Sequence, residues 1–175
     1  MRPRVSVFIA VTLDGFIARP DGSIDFLDRL ATPPGEDYGY ADFFAEVDAL
    51  VVGRATYETA LGFDPWPWDG KRVVVLTHRA LEARHGERAH AGDLAPLLEA
   101  LAREGVRRVY LDGGAAIRRG LEEGVVDDLT LSTLPFTIGA GRALFGGAPG
   151  TVDWALESVR GFSSGLVQAR YARRR

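Results

Sequence analysis

Four short runs of this chain are almost continuously apolar and rich in valine: Val5–Val11, Val47–Gly53, Val73–Thr77 and Val106–Leu111. A strand with one face in water alternates apolar and polar side chains, whereas a strand covered on both faces does not. Such runs predict a sheet sandwiched between helices. Ala41–Val47 and Thr56–Leu61 have helical character. Leu94–Arg103 sets Leu94, Leu97, Leu98 and Leu101 on one face and stops at Gly105. Ala115–Glu123 follows the turn Asp112-Gly113-Gly114 and stops at Gly124. Ile24–Leu30 is short and apolar, while Ala31–Tyr40 and Gly62–Gly70 carry the prolines of loops.

The end of the chain changes character. Asp128–Leu134 reads as a strand ending at Pro135, and Phe136–Gly150 as a glycine-rich loop. Val152–Arg160 and Leu166–Ala172 alternate and are joined by a turn around Ser163-Ser164-Gly165. The pattern predicts an α/β fold over residues 1–175 in one domain: a mostly parallel mixed sheet, helices on both faces, and a closing antiparallel hairpin.

Composition narrows the function classes. A formal charge of −3 gives no global attraction for nucleic acid. The basic block Arg173-Arg174-Arg175, with Arg170 behind it, reads as a frayed, solvated tail. The absence of cysteine excludes disulfides, thiolate metal sites and cysteine nucleophiles. His78, His85 and His90 lack the tight spacing of a metal site, and no metal is expected. The N-terminal apolar run is too short to span a bilayer and lacks a cleavage site, so a cytoplasmic protein without membrane association is expected.

Ligands of open α/β sheets bind at the carboxyl ends of the strands, and four segments lie there. Gly53-Arg54-Ala55-Thr56 joins a strand to a helix start that can hold a phosphate, or is an ordinary capped turn. Asp112-Gly113-Gly114-Ala115-Ala116 has side chains small enough for a pyrophosphate to reach the backbone, or for close strand–helix packing; it lacks the G-x-G-x-x-G spacing. Thr77-His78-Arg79 suits the 2′-phosphate of NADPH, or is a polar loop. The fourth segment carries Asp14, then Asp25, Phe26 and Asp28; Asp25 and Asp28 would share a helix face, where either can cap or act in catalysis. Asp14 is read first as the cap of its turn with Gly15.

Taken in order, TLDGFIA, VDALVVGRATYE, VVVLTHR, VYLDGGAAIRRGL and DDLTLSTLPFTIGAGRALF cover nearly the whole chain. Together they resemble the dihydrofolate-reductase-like superfamily, most closely the group holding the reductase (C-terminal) domain of the bifunctional riboflavin-biosynthesis deaminase-reductase and its stand-alone relatives. The resemblance implies NADPH, with Ala10 and Ile17 bordering the nicotinamide. It implies Gly53, Arg54 and Thr56 on the pyrophosphate, Thr77, His78 and Arg79 at the adenosine phosphate, and Gly113, Gly114, Ala115, Ala116 and Ile117 completing the cradle. It also implies a non-proline cis peptide at the Asp112–Gly114 turn, and a homodimer using the terminal hairpin, where Val152, Trp154, Leu156, Leu166 and Val167 are available.

The implied activity is hydride transfer to a small heterocycle or a ribosylaminopyrimidine, the latter as in the riboflavin pathway. A dihydrofolate reductase and a nucleotide-binding protein without turnover are the alternatives. Asp25 or Asp28 is the expected proton donor, and Asp14, Phe26 and Asp112 the expected substrate wall. Two departures bear on the substrate. Asp112 stands where the riboflavin reductases usually have glutamate, and the segment ALGFDPWPW, Ala60–Trp68, has no arginine where they have one for the ribosyl phosphate.

Overall fold

The computed structural model describes residues 2–146 and 150–174. Strands β1 (Arg4–Thr12), β3 (Ala49–Gly53), β4 (Arg72–Leu76), β6 (Arg108–Asp112) and β7 (Asp128–Leu134) form at the predicted runs, with some shifted ends. They join β5 (Arg88–His90) and the hairpin β9 (Trp154–Gly161) and β10 (Val167–Arg173) in one sheet, ordered β5-β4-β3-β6-β1-β7-β10-β9. All neighbours from β5 to β7 are parallel; β10 runs antiparallel to β7 and β9 to β10. A separate two-stranded piece pairs β2 (Phe16–Ala18) with β8 (Arg142–Ala143).

Alternate residues of the buried strands feed two cores. Val5, Val7, Val51, Val109 and Leu111 face helices α3 (Leu94–Arg103) and α4 (Gly114–Glu122). Leu50, Val52, Val73, Val75 and Tyr110 face the other way, onto Phe43 of α1 (Tyr40–Ala45), Tyr57 of α2 (Arg54–Ala60) and Trp68. The sheet is therefore the middle of three layers, and the valine runs are continuous because both faces are covered.

Several boundaries move for local reasons. Strand β3 starts at Ala49, because Asp48 accepts the N–H groups of Arg107 and Arg108 and Val47 lies in the preceding turn. Val106 belongs to the turn after α3, where its N–H meets the Leu101 carbonyl. Ile24–Leu30 contains a 3-10 turn, Asp25–Arg29. The expected frayed tail is paired as far as Arg174: Arg173 closes β10, and its N–H and that of Arg174 donate to the carbonyls of Asp127 and Asp153. Arg175 lies outside the described residues, as do 147–149 of the glycine-rich loop.

The expected cis peptide is absent. Among the described residues only Asp64–Pro65 is cis. The chain turns out of β6 through Gly113 at φ 91° and ψ 139°, a conformation open to glycine, so no cis bond is required.

Helix α3 lies away from the strand ends that carry the polar segments, and Leu101 is wholly buried beneath it. Leu101→Ala is expected to lower unfolding free energy by about 2–5 kcal/mol in a urea titration. A loss below about 1 kcal/mol would contradict this packing.

Candidate active site

The carboxyl ends of β1, β3 and β6 open into a cavity of about 570 Å³, within the range of small-ligand sites. Register places the components. Val52 pairs with Asp112, so β3 and β6 end level, and α2 and α4 leave them on opposite faces. The two turns meet where they leave: a Cβ on Gly113 would collide with the Thr56 hydroxyl, and one on Gly114 would sit 2.6 Å from Ile17 Cδ1. At Gly113, with φ 91°, only glycine fits; at Gly114 a side chain would have to displace the tip of Ile17.

No side chain caps α4. The N–H of Ile117 is taken by the Gly113 carbonyl, but the N–H groups at the first positions of a helix have no partner within it. Gly113, Gly114 and Ala115 line the cavity there, with Gly53, Arg54, Ala55 and Thr56 across from them. The Arg54 guanidinium is held at Glu58 (2.7 Å) and the Ala80 carbonyl (2.9 Å) and approaches the Thr77 hydroxyl (3.3 Å), fastening the loop after β4 to α2.

Among the described residues Asp112 is the one carboxylate in the lining. It is partly open to the cavity and enclosed by protein elsewhere. Burial raises its pKa to about 6, against the opposing pull of the Gly113 N–H at 2.8 Å and of Tyr110. The Tyr110 hydroxyl donates to the Phe8 carbonyl at 2.8 Å, and burial with the nearby Asp112 charge holds its pKa well above the usual value. Tyr40 also lines the cavity, and its pKa is pushed to about 12 by burial and by Asp112.

Of the residues singled out from sequence, Ala10, Ile17, Gly53, Arg54, Thr56, Asp112, Gly113, Gly114 and Ala115 are brought together in this lining. Ala116 and Ile117 are not: both side chains are buried in the core behind α4. Thr77 is buried, with its hydroxyl accepting the Arg79 N–H, and the side chains of His78 and Arg79 stand exposed on the loop that Arg54 holds. The histidines do not share a site: His85 stacks on Trp66, and His90 contacts the Asp93 carbonyl.

The carboxylates of the fourth segment require correction. Asp25 is an exposed ion-pair partner of Arg19 at 2.5 Å, and that guanidinium holds its carboxyl below the usual range, the opposite of what a proton donor near neutral pH needs. Asp28 is exposed, and neither lines the cavity. Phe26 is fully buried with Leu134 and Leu166, anchoring the 3-10 turn. Asp14 accepts the Thr12 hydroxyl (2.5 Å) and the N–H groups of Ile138 (3.1 Å) and Gly139 (2.7 Å), so it ties two loops together outside the cavity.

Sequence reasoning missed Phe8, Tyr40, Tyr110, Arg118 and Arg142, all in the lining, and read Trp68 as a loop anchor sooner than a wall of the site. Arg118 follows Gly114 by one helical turn, which is a readable signal; its guanidinium donates to the Ala143 carbonyl at 3.1 Å. Arg142 reaches the cavity because β8 pairs with β2, a contact invisible in sequence. Trp68 forms part of the wall, while its neighbour Trp66 packs on it (5.1 Å) and stacks on His85 (4.3 Å, 9°) in the loop after β4.

Asp112 provides a pH signature. Its unfolded carboxyl ionises near pH 4 and the folded one near 6. Between those values the folded state binds more protons, so stability falls as pH rises, by about 3 kcal/mol for this group, and levels off above 6. Asp112→Asn removes the penalty. Relative to the unmutated chain it is expected to gain stability at pH 8 and little at pH 4 in urea unfolding; a difference independent of pH would contradict the assignment.

Comparison with known proteins agrees with this architecture. The family model described as the RibD C-terminal domain matches residues 3–168. The uncharacterized protein YwjB of Bacillus subtilis is 32% identical over 99% of both chains. The riboflavin biosynthesis protein RibD of Corynebacterium ammoniagenes is 30% identical over 80% of this chain and 45% of its own length. The crystal structure of a candidate riboflavin biosynthesis protein from Shewanella sp. PV-4 superposes with a TM-score of 0.91 at 32% identity, covering 100% of both chains. The chain belongs to the RibD C-terminal domain family.

Proposed function

We propose that this protein is an NADPH-dependent reductase of riboflavin-pathway type, acting on a small heterocycle at the cavity below β1 and β6. The observation that carries the reading is the meeting, in one cavity, of an uncapped helix start with a carboxyl group whose pKa is about 6. Two relatives bear riboflavin-biosynthesis names, RibD and the Shewanella protein, and support the pathway.

The residues present fit a dinucleotide. The α4 start offers unpaired N–H groups and a favourable dipole to a diphosphate. Gly113 and Gly114 keep the backbone bare, and Thr56, Arg118 and Arg142 lie beside it. The exposed His78 and Arg79 suit the 2′-phosphate, on a loop positioned by Arg54. Ala10 and Ile17 supply the apolar border for the nicotinamide. The cofactor, when bound, supplies the hydride. The chain's own contribution is to orient the acceptor and hold a proton at Asp112: a carbonyl or imine carbon gains the hydride, its oxygen or nitrogen takes the Asp112 proton, and the carboxylate recovers one from solvent. Burial keeps that proton available near neutral pH.

The test is NADPH oxidation followed by absorbance with a panel of ribosylaminopyrimidines. Asp112→Asn is expected to lower kcat by about 10²–10⁴-fold with NADPH binding intact. In the same titrations NADPH should bind more tightly than NADH, and Arg79→Ala should narrow that preference by about 1.5–3 kcal/mol. Equal binding of both dinucleotides to the unmutated chain counts against the reading.

We also propose a homodimer through the hairpin. Leu166 and Trp154 pack into the chain's own core, which removes them from the expected interface. Leu156, Val159 and Val167 remain 45–62% exposed. Sedimentation at micromolar concentration is expected to exceed the 19.0 kDa of one chain; a 19.0 kDa species alone contradicts pairing.

A further inference from the structure

A second cavity, of about 490 Å³, lies between α1 and the hairpin and shares Phe8 with the first. Register builds its floor. Phe8 of β1 pairs with Thr130 of β7, Thr130 with Arg170 of β10, and Arg170 with Ser158 of β9. Directly paired residues of neighbouring strands project from the same face. Ring, hydroxyl, guanidinium and hydroxyl therefore stand in one row, and all four line the cavity. Val167, 45% exposed, precedes Gln168 in β10 and so points to the opposite face, away from this row.

The donors of this row have no protein partner. Thr130 is 4% exposed, yet its hydroxyl makes no hydrogen bond to any described residue, and neither does the Ser158 hydroxyl or the Arg170 guanidinium. The polar groups around them are committed. Gln168 donates to the Tyr38 carbonyl and the Ser132 hydroxyl, both at 3.0 Å. Arg108 is held by Ser6, Glu46 and Asp128, and it neutralises Glu46. Arg160, one row along on β9, lies over the Phe162 ring at 4.5 Å. On the α1 side, Asp42 is the one carboxylate of the lining without a cationic partner among the described residues.

A guanidinium between two hydroxyl donors is a donor set for an oxyanion, and hydrogen bonds to an ionised acceptor are the strong ones. The charge on α1 limits which anion suits. A phosphate dianion would bring two negative charges toward Asp42, and a carboxylate brings one. Phe8 and Phe43 offer apolar surface to the rest of the ligand. We infer that this cavity is a second binding site, for a small apolar carboxylate whose head lies on Arg170 between Thr130 and Ser158 and whose body lies against Phe8.

The test is backbone amide NMR of the full chain titrated with benzoate, with inorganic phosphate as a second probe, each with and without NADPH. Benzoate is expected to give saturable shifts at Thr130, Ser158 and Arg170, with the same affinity in both conditions. Arg170→Gln should weaken its binding about tenfold or more, and Thr130→Val, which keeps the side-chain shape, about threefold. Arg170 is exposed on its strand, so Arg170→Gln is expected to leave the amide shifts of the two cores unchanged. Phosphate should bind more weakly than benzoate. The inference is overturned if benzoate gives no saturable shift, or if the shifts fall on residues 113–118 of the first cavity and are lost with NADPH. It is equally overturned if both variants bind benzoate as the unmutated chain does, or if phosphate binds as tightly as benzoate.

Discussion

The parallel pairing of β3 with β6 is the constraint from which the site follows. Its register sets Val52 beside Asp112, so both strands release their helices at the same height. Because alternate residues of each strand serve opposite cores, α2 and α4 depart on opposite faces, and only their first residues can meet. They meet as Thr56 against Gly113, with no space for a Cβ. A shift of one residue in either strand would reverse which side chains face which core. In β6 such a shift would also carry the Asp112 carboxyl from the cavity floor into the apolar layer beneath α4.

The sheet was legible because burial on both faces leaves a mark in the sequence, and the valine runs carry that mark. Strand boundaries were less legible, since they depend on groups far away in the chain: β3 begins where Asp48 gathers two N–H groups from residues 107 and 108. The strands β2, β5 and β8 have three, three and two residues, too few for any periodicity. The terminal arginines misled because charge suggests solvent, yet an edge hairpin can bear arginines on its outward positions while its backbone pairs with Asp127 and Asp153.

In the cavity, small residues at strand ends were readable and acidic residues were not. Gly113 and Gly114 advertise close approach of neighbouring groups. The role of a carboxylate depends on its neighbours in space. Asp25 is answered by Arg19 and Ser23 and Asp14 by Thr12 and two backbone amides; none of these pairings can be counted from composition. Among the described residues Asp112 has no cationic partner; it is held by the Gly113 N–H and lies beside Tyr110. Tyr40 was passed over as the end of a loop, although α1 begins there and directs it to the Phe8 and Tyr110 rings.

The Trp66-Pro67-Trp68 segment sets a mechanical limit. Trp68 is part of the wall, and Trp66, two residues earlier, lies flat on His85. Proline between them stiffens the link. A guest too wide for the cavity would have to push Trp68 outward, and the displacement would pass through the proline to a stacked pair worth about 0.5–1.5 kcal/mol beyond the area it buries. The wall behaves as a spring with its far end fixed in a different loop, so the largest ring admitted is set by the stiffness of that spring as well as by the empty volume.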